Sequence, residues 1–396
     1  MNYEHITSDG QLVDFCHRIQ HVRKIGFDTE FVSEHTFQPQ LCLIQVAAGD
    51  ELALIDPLVV KNTRPFWELL TKPGLETIVH AGREELLFCL RTIGKGPWQT
   101  FDIQIAAGLV GLEYPASYGN LIFRLLHKTL PKGETRSDWR RRPLTDSQLE
   151  YALQDVIHLQ KLRDSLHERM SAEDRLPWLT TEMERWQEGI AAYEKQENWQ
   201  RVSGISGLSA RSLAVVREIW RWRQKEAQRR DTLPKRVLRD DLIVELSRRQ
   251  MADPKKIQAV RGMQRRDLER QIPQLAQAIH RAVSLPESEL PRRGTRSNHK
   301  QLTTIGQFMH TALNSICRTA SVSPSLVGTA QDVRDLIAYY LQLKDSPQEA
   351  PTLAQGWRAE VVGKQLEELM AGRLAIRVRD PLAGDPLVFE NTPGRD

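Results

Sequence analysis

Cysteine is scarce in this sequence, and long apolar runs are missing from it. The 396 residues include four cysteines, Cys16, Cys42, Cys89 and Cys317, and no two of them form a Cys-x-x-Cys pair. Such scattered cysteines argue against a disulfide framework and against a zinc site. No 18 apolar residues run together, and the first residues lack a basic segment followed by an apolar one. We therefore expect a soluble protein of the cytoplasm with no membrane contact.

A Walker-type phosphate loop is also missing. The nearest match is Gly363-Lys364, but Gln365 follows it and Arg358 stands where the leading glycine is required. An ATP-driven helicase is therefore unsupported, and we expect no nucleotide cofactor.

Charge is unevenly distributed along the chain. Residues 197–283 hold 20 Lys and Arg against 10 Asp and Glu, so this +10 segment leaves −6 for the rest of a chain whose net charge is +4. This division suggests a basic nucleic-acid-binding module attached to an acidic body that can hold cations. The alternative is an ordinary solvated helical surface, which gives similar charge runs.

The sequence pattern changes near residue 172. Before it we predict a strand over 22–31, then apolar runs at 41–47 and 51–55 joined by a turn into an antiparallel arrangement, and a short strand over 76–79. Beyond residue 172 the strands are expected to stop, and helical runs alternate with turns. The resulting units are an α/β domain (1–172), a connecting helix (173–197), a helical domain (198–283), a linker (284–300), a second helical domain (301–375) and a tail (376–396).

Two acids lie on one predicted strand in the segment Lys24–Phe31. Ile25 and Phe27 are typical of a buried strand, and Asp28 and Glu30, two residues apart, point to the same face. Neighbouring carboxylates repel each other and lose hydration, which a divalent cation compensates. An Asp-x-Glu triplet also arises by chance in a chain with 51 Asp and Glu, so the pair needs further partners.

A phenol and a carboxylate share one face of a helix predicted over 144–170. Thr145, with Gln148 three residues later, predicts a capped start for this helix. Tyr151 and Asp155 are four residues apart and therefore adjacent on the helix surface. A tyrosine on a helix serves packing more often than catalysis, so this pair alone does not define a site.

Another acid is available in the first turn of the helix that follows His80, where Glu84 and Glu85 are consecutive. Together these elements supply four carboxylates and one phenol. Two divalent ions about 4 Å apart can clamp a phosphodiester, and carboxylate oxygens suit Mg²⁺ or Mn²⁺. The set predicts a two-ion nuclease site in which the tyrosine hydroxyl orients the attacking water.

With these motifs the sequence resembles the ribonuclease D family, the 3′–5′ exoribonucleases of the DEDD superfamily whose third motif contains a tyrosine. Asp28-Thr-Glu30 matches the first family motif, and Tyr151 with Asp155 matches the third. Family-like stretches also occur in order at 41–45, 80–81, 102–104, 137–139 and 142–144. Farther along, 198–202, 220–227 and 237–240 resemble the helicase and RNase D C-terminal (HRDC) domain, and 301–375 resemble a diverged second copy.

The resemblance implies a ribonuclease H-like α/β exonuclease domain, with a mixed sheet flanked by helices, followed by two all-α HRDC-type domains that help to grip RNA. It implies removal of nucleoside 5′-monophosphates from RNA 3′ ends, with precursor tRNA as the expected substrate and a monomer as the expected state. Two Mg²⁺ or Mn²⁺ ions would be held by Asp28, Glu30, Glu85 and Asp155, and Tyr151 would position the water.

The second motif departs from the family pattern, because Glu85 stands where the family has aspartate. Glu84 is adjacent, but a helix turns about 100° per residue, so only one of the two can face the ions. We favour Glu85. The longer arm predicts a greater need for Mn²⁺ or for high Mg²⁺.

Residues near the motifs have two interpretations each. Asp102 either approaches the site or only caps its helix, and His80 is better explained as an ordinary hydrogen-bonded histidine. Arg140, Arg142 and Arg136 precede the helix that carries Tyr151 and are expected to meet substrate phosphates, the alternative being a salt-bridged loop. Trp139, in the same loop, is expected to pack rather than to stack on a base.

The basic module interleaves aromatic residues with cations at Trp220, Arg221, Trp222, Arg223, Lys225, Arg229 and Arg230. Such a pattern can bind phosphates and stack bases, so Arg221, Arg223, Lys225 and Arg229 are candidate RNA contacts. At least one tryptophan should belong to the core, because opposite faces of a helix cannot both meet a ligand.

Two other functions remain open at this point. A DNA exonuclease would use the same acids, and only a contact to the ribose 2′-hydroxyl would distinguish it. An RNA-binding protein with an impaired catalytic site would also be consistent with the change at Glu85.

Overall fold

The computed structural model describes residues 2–130, 137–291, 302–343 and 349–392. The expectations for Arg136, for residues 292–300 of the linker and for residues 393–396 of the tail lie outside these ranges. Within them, no helix combines the length and the apolar character that crossing a membrane requires.

Six strands of the described residues form one mixed sheet in the order β1-β4-β3-β2-β5-β6. They are β1 (Glu4–Ile6), β2 (Lys24–Val32), β3 (Gln40–Ala48), β4 (Glu51–Ile55), β5 (Glu76–Val79) and β6 (Gln99–Asp102). Strand β3 is antiparallel to both β2 and β4, as predicted, while the β1–β4, β2–β5 and β5–β6 pairs are parallel. The sequence pattern does not predict β1, because three residues are too few to show an alternation.

Helices cover both faces of this sheet. On one face, α1 (Asp9–Ile19), α2 (Arg64–Leu70) and α3 (Arg83–Ile93) contribute to a core that includes Phe27 and Trp67. The other face is covered by α4 (Ile103–Leu109), α5 (Tyr118–Leu126), α6 (Asp146–Ile157) and α7 (Leu159–Ala172).

The predicted helix over 144–170 is two helices in the structure. The capping box of Thr145 and Gln148 starts α6 as predicted, but the chain breaks at His158 before α7 begins. The apolar spacing continues across the break because both helices pack on the same face of the sheet, through Val156, Leu159 and Leu162.

Helix α8 (Leu176–Lys195) leads to a helical domain with its own core, which includes Trp222 and Ile279. Its helices are α9 (Ala210–Arg229), α10 (Pro234–Val237), α11 (Asp240–Arg249), α12 (Pro254–Gln258), α13 (Arg266–Glu269) and α14 (Ile272–Val283). This domain also touches the segment that leaves β2. The Phe37 amide donates to Asp231 Oδ1 over 3.0 Å, and Arg236 lies 3.1 Å from the His35 ring.

The second helical unit shares a core with the α/β domain. It comprises α15 (Thr303–Thr319), α16 (Pro324–Val327), α17 (Ala330–Tyr340), α18 (Gly356–Arg358), a π-helical turn (Ala359–Gly363) and α19 (Lys364–Met370). The Trp357 indole stacks on Trp178 of α8 with ring centroids 5.4 Å apart. The Arg358 guanidinium binds both carboxylate oxygens of Glu182, at 2.5 and 2.9 Å.

The expectation that strands stop after residue 172 is wrong. Strands β7 (Leu374–Val378) and β8 (Leu387–Asn391) form an antiparallel hairpin that overlaps the predicted tail. Ile376 and Phe389 pack against the shared core, so the hairpin gains apolar contacts that the Pro- and Gly-rich sequence does not reveal.

Candidate active site

Asp28 and Glu30 lie where β2 loses one of its neighbours. Strand β5 pairs with β2 only from Lys24 to Gly26, whereas the pairing with β3 continues to Val32. The acids therefore extend past the end of β5, at an edge of the sheet where other elements can approach them. Both side chains are partly buried.

Helix α3 brings Glu85 to this edge. Glu85 lies in the first turn of α3, is 5% exposed, and accepts a hydrogen bond from the Thr29 hydroxyl at Oε1 over 2.5 Å. Burial, together with the charge of Asp28, raises the pKa of Glu85 to about 8. Glu84 instead pairs with Arg83 at 3.0 Å. Of the two glutamates, Glu85 is thus the one buried beside the strand acids.

Helix α6 contributes the phenol and the fourth carboxylate. Burial raises the pKa of Asp155 to about 7, and the neighbouring Tyr151 hydroxyl lowers it by a smaller amount. Burial and the nearby charges of Asp155 and Glu30 raise the pKa of the Tyr151 phenol. The Trp139 ring, itself buried as expected, lies 6.1 Å from that of Tyr151.

The four carboxylates affect one another electrostatically. Burial raises the pKa of Glu30 to about 9, with added repulsion from Asp28, Asp155 and Glu85. The pKa of Asp28 rises to about 7 through burial and the charge of Asp155. Such crowding of acids is relieved by a cation, and an all-oxygen donor set fits Mg²⁺ or Mn²⁺. Among the described residues no three metal-binding side chains are already gathered into a cage, so the carboxylates would have to turn towards a shared ion.

Asp102 caps its helix and also anchors the helix that carries Glu85. Its carboxylate accepts the amides of Gln104 at 2.8 Å and Ile105 at 3.2 Å, and its other oxygen accepts the Gly82 amide at 2.9 Å. Gly82 is the residue before α3, so Asp102 fixes where that helix begins. His80 donates to the Ala116 carbonyl over 2.9 Å, the ordinary hydrogen bond that was expected.

The two arginines expected to meet phosphates are engaged within the fold. The Arg142 guanidinium donates to both carboxylate oxygens of Asp56, at 2.5 and 2.9 Å, and to the Cys42 carbonyl at 2.7 Å. The burial of Asp56 explains this pairing, because a buried carboxylate needs a cationic partner. Arg140 is exposed and pairs with Asp138 at 2.9 Å, the salt-bridged alternative, although an exposed pair of this kind exchanges easily.

In the basic helical domain, most of the arginines proposed to contact RNA form ion pairs within the protein. Arg223 is 4% exposed and donates to Asp240 and to the Leu238 carbonyl, so its guanidinium is held inside the domain. Arg221 binds Glu197 through two bonds of 2.7 Å, and Arg229 pairs with Glu226 at 2.6 Å.

Lys225 is exposed on the same helix, and no ion pair within the described part of the chain engages it. Trp222 belongs to the core, as predicted for at least one tryptophan, whereas Trp220 is partly exposed.

Sequence reasoning missed Thr29 and the second role of Asp102. In the sequence, Thr29 is marked only by its place between Asp28 and Glu30. Its hydrogen-bond partner, Glu85 of α3, cannot be identified from a local pattern. The bond from Asp102 to Gly82 joins the ends of two strands that are parallel neighbours, β5 and β6.

Comparison with known proteins gives two family matches. A family model described as 3′-5′ exonuclease matches residues 3–171, and one described as HRDC domain matches residues 212–279. The ribonuclease D of Gluconacetobacter diazotrophicus is 30% identical over 377 residues, which cover 94% of each chain. That of Zymomonas mobilis is 31% identical over 380 residues, covering 94% of this chain and 95% of its own.

A solved structure matches nearly the whole chain. The crystal structure of Escherichia coli RNase D, described as an exoribonuclease involved in structured RNA processing, superposes with a TM-score of 0.81 at 27% identity. The match covers 94% of this chain and 99% of that one.

Proposed function

The chain belongs to the ribonuclease D family and is a 3′–5′ exoribonuclease, and we propose that it trims the 3′ ends of precursor tRNA and releases nucleoside 5′-monophosphates by hydrolysis that uses two divalent ions. We also propose that it acts as a monomer in the cytoplasm.

The observation that carries the proposal is the mutual repulsion of four acids from three separate elements. The pKa of Glu30 reaches about 9 because burial is reinforced by the charges of Asp28, Asp155 and Glu85. No cationic side chain is among the causes of this pKa shift. Acids that repel one another without such a partner favour a site that binds cations.

The same four side chains, Asp28, Glu30, Glu85 and Asp155, would hold the ions. When bound, divalent ions supply charge stabilisation to the attacking and leaving oxygens of a phosphodiester. A phenol with the ordinary pKa of 10 is already protonated at neutral pH, and burial raises the pKa of Tyr151 further, so its hydroxyl acts as a hydrogen-bonding group and not as a base. Its hydroxyl, next to Asp155, is suited to orient a water beside the scissile phosphate.

The helical domains support an RNA substrate that is longer than the terminal nucleotides. The first of them touches the segment leaving β2, through Phe37 and His35, only a few residues after Glu30. The exposed cations of that domain therefore lie on a unit that contacts the segment following β2. Among them, Lys225 is the best candidate for a phosphate contact. Partly exposed Trp220 offers a surface on which a base can stack.

The decisive experiment follows 5′-labelled RNA and a matched DNA oligomer with the purified chain and Mn²⁺. We expect stepwise shortening of the RNA from its 3′ end, 5′-mononucleotide products, and arrest by EDTA. Asp28→Asn should abolish cleavage, because a neutral amide cannot replace the anionic ligand.

The other outcomes each support a different function. Equal degradation of the DNA would favour a DNA exonuclease, and RNA that is bound but uncut would favour a binding protein with an impaired site. A precursor tRNA with a 3′ extension, compared with its mature form, tests the proposed substrate.

A further inference from the structure

Gln45 is a fully buried side chain whose amide has no partner. It lies in β3, its exposed fraction is 0%, and both its Oε1 and Nε2 atoms are buried without a hydrogen bond in the structure. Buried amide groups are nearly always hydrogen-bonded, because losing water without a replacement is costly. An orphaned amide in a core therefore indicates a partner that arrives with a ligand or a water.

The position of Gln45 connects it to the acidic site. In the β2–β3 ladder Gln45 is the direct partner of Asp28, and on its other side it pairs with Leu54 of β4. Directly opposed residues of antiparallel strands have side chains on the same face, with Cβ atoms roughly 5 Å apart. The Gln45 amide and the Asp28 carboxylate are therefore neighbours on the face that α6 covers.

The other neighbours of Gln45 on this face of the sheet are apolar. Leu43 and Leu54 flank Gln45 on the sheet, and Ala152 and Leu153 of α6 belong to the same cluster. A leucine at position 45 would continue this cluster without any unpaired polar atom. The glutamine is thus best explained by the one strongly polar neighbour on its own row, Asp28.

We propose that Gln45 is a positioning residue for Asp28, an inference that rests on the proposed function. When ions are held at the site, the Gln45 amide would donate to one oxygen of the Asp28 carboxylate, directly or through one buried water. Hydrogen bonds of this kind fix the rotamer of a metal-binding carboxylate. A neutral amide serves the purpose because, unlike lysine or arginine, it does not compete with the ions for the charge of Asp28.

The test uses Gln45→Met, which keeps the length of the side chain and removes its hydrogen bonds, with Gln45→Leu as a second apolar variant. Mn²⁺ binding is measured by calorimetry without RNA, alongside kcat and KM on single-stranded RNA. We expect the Mn²⁺ Kd to rise and kcat to fall, each by roughly tenfold, with KM for RNA nearly unchanged. The melting temperature should be maintained or raised, because an orphaned polar group has been removed.

Leu54→Met is the matched control, since it alters the same row of the sheet one strand farther from Asp28 and should leave Mn²⁺ affinity unchanged. A double-mutant cycle with Asp28→Asn adds a specific readout. If Gln45 acts through Asp28, Gln45→Met has no further effect on Mn²⁺ affinity once Asp28 is replaced.

The outcomes separate the two proposals. Wild-type Mn²⁺ affinity and kcat in folded Gln45→Met and Gln45→Leu would overturn the role of Gln45 and leave the exonuclease intact. Equal losses in Leu54→Met would also overturn it, because they would indicate a general packing effect. A wild-type chain that neither binds Mn²⁺ nor shortens RNA would overturn the proposed function itself, and this inference with it.

Discussion

The Thr29 hydroxyl donates a hydrogen bond to Glu85 Oε1 over 2.5 Å, and both residues are buried. The bond joins the middle of the acidic strand segment to the first turn of α3. One carboxylate oxygen of Glu85 is thereby held by the protein. The longer arm of glutamate is in this way fixed by a neighbour rather than left free to rotate.

Thr29→Val should impair the site while preserving the shape of the side chain. It removes the only hydroxyl that binds Glu85 among the bonds described, so we expect the Mn²⁺ Kd to rise and kcat to fall by about tenfold. Calorimetry and steady-state kinetics measure both. Thr29→Ser keeps the hydroxyl and should behave like the wild type; a serine variant as weak as the valine variant would contradict the role of the bond.

Glu85→Asp should change the metal requirement. Aspartate is the residue of the family's second motif, and its shorter arm is expected to lower the Mg²⁺ concentration needed for half-maximal activity by severalfold. Titrations of activity with Mg²⁺ and with Mn²⁺ provide the measurement. Unchanged metal dependence would show that the extra methylene of Glu85 has no consequence. Glu84→Asp, next to it but paired with Arg83, is the matched control.

Tyr151→Phe should reduce turnover far more than RNA affinity. The phenylalanine retains the ring that neighbours Trp139 but cannot orient a water, so kcat should fall by about 10²-fold or more. The Kd for RNA, measured by fluorescence anisotropy in Ca²⁺, should change by less than about twofold, which corresponds to about 0.4 kcal/mol of binding free energy. A variant with wild-type turnover would remove Tyr151 from the mechanism.

The metal-free protein should lose stability as pH rises. The pKa of Glu30 is about 9 in the folded chain against an ordinary value of 4.5, so between these values the folded state binds a proton that the unfolded state has released. The slope of unfolding free energy with pH is then negative, and the destabilisation is complete above about pH 9.

Urea unfolding in EDTA from pH 5 to 9 tests this slope. Glu30→Gln should flatten it, because the glutamine cannot ionise, whereas Glu68→Gln on an exposed helix face should not. Added Mn²⁺ should restore more stability at pH 9 than at pH 5, where protons compete for the carboxylates. Equal slopes for wild type and Glu30→Gln would exclude the effect.

Lys225→Ala should weaken RNA binding without slowing hydrolysis of bound RNA. An exposed lysine in contact with a phosphate contributes about one unit to the slope of log affinity against log salt, and its removal should lower that slope accordingly. Anisotropy at several salt concentrations measures the change. Arg229→Ala is the control, because Arg229 is already paired with Glu226 and should contribute less.

Periodicity and motif order sufficed for the main features of the α/β domain. The alternation in β2 predicts that Asp28 and Glu30 share a face, and four-residue spacing predicts that Tyr151 and Asp155 are adjacent. Both patterns are local, so they are readable without a fold. The effect of the Tyr151 hydroxyl on the pKa of Asp155 agrees with the second of them.

Features that depend on partners distant in sequence could not be predicted. Arg142 and Arg223 look like surface cations in the sequence, yet each is committed to a carboxylate, Asp56 and Asp240, that the fold brings from another element. The break at His158 is equally hidden, since the apolar spacing runs through it. The strands β7 and β8 escape notice because their packing partners belong to earlier domains.

The stacked indoles of Trp178 and Trp357 have a practical consequence for dissecting the chain. A fragment that ends at residue 197 would lack the second helical unit, whose apolar side chains complete the core of the α/β domain. The exposed apolar surface should make this fragment prone to aggregate. The first helical domain has a separate core, so its removal should be tolerated better. We therefore expect an active fragment to need the α/β domain together with the second helical unit, which lie on either side of the first helical domain in the sequence.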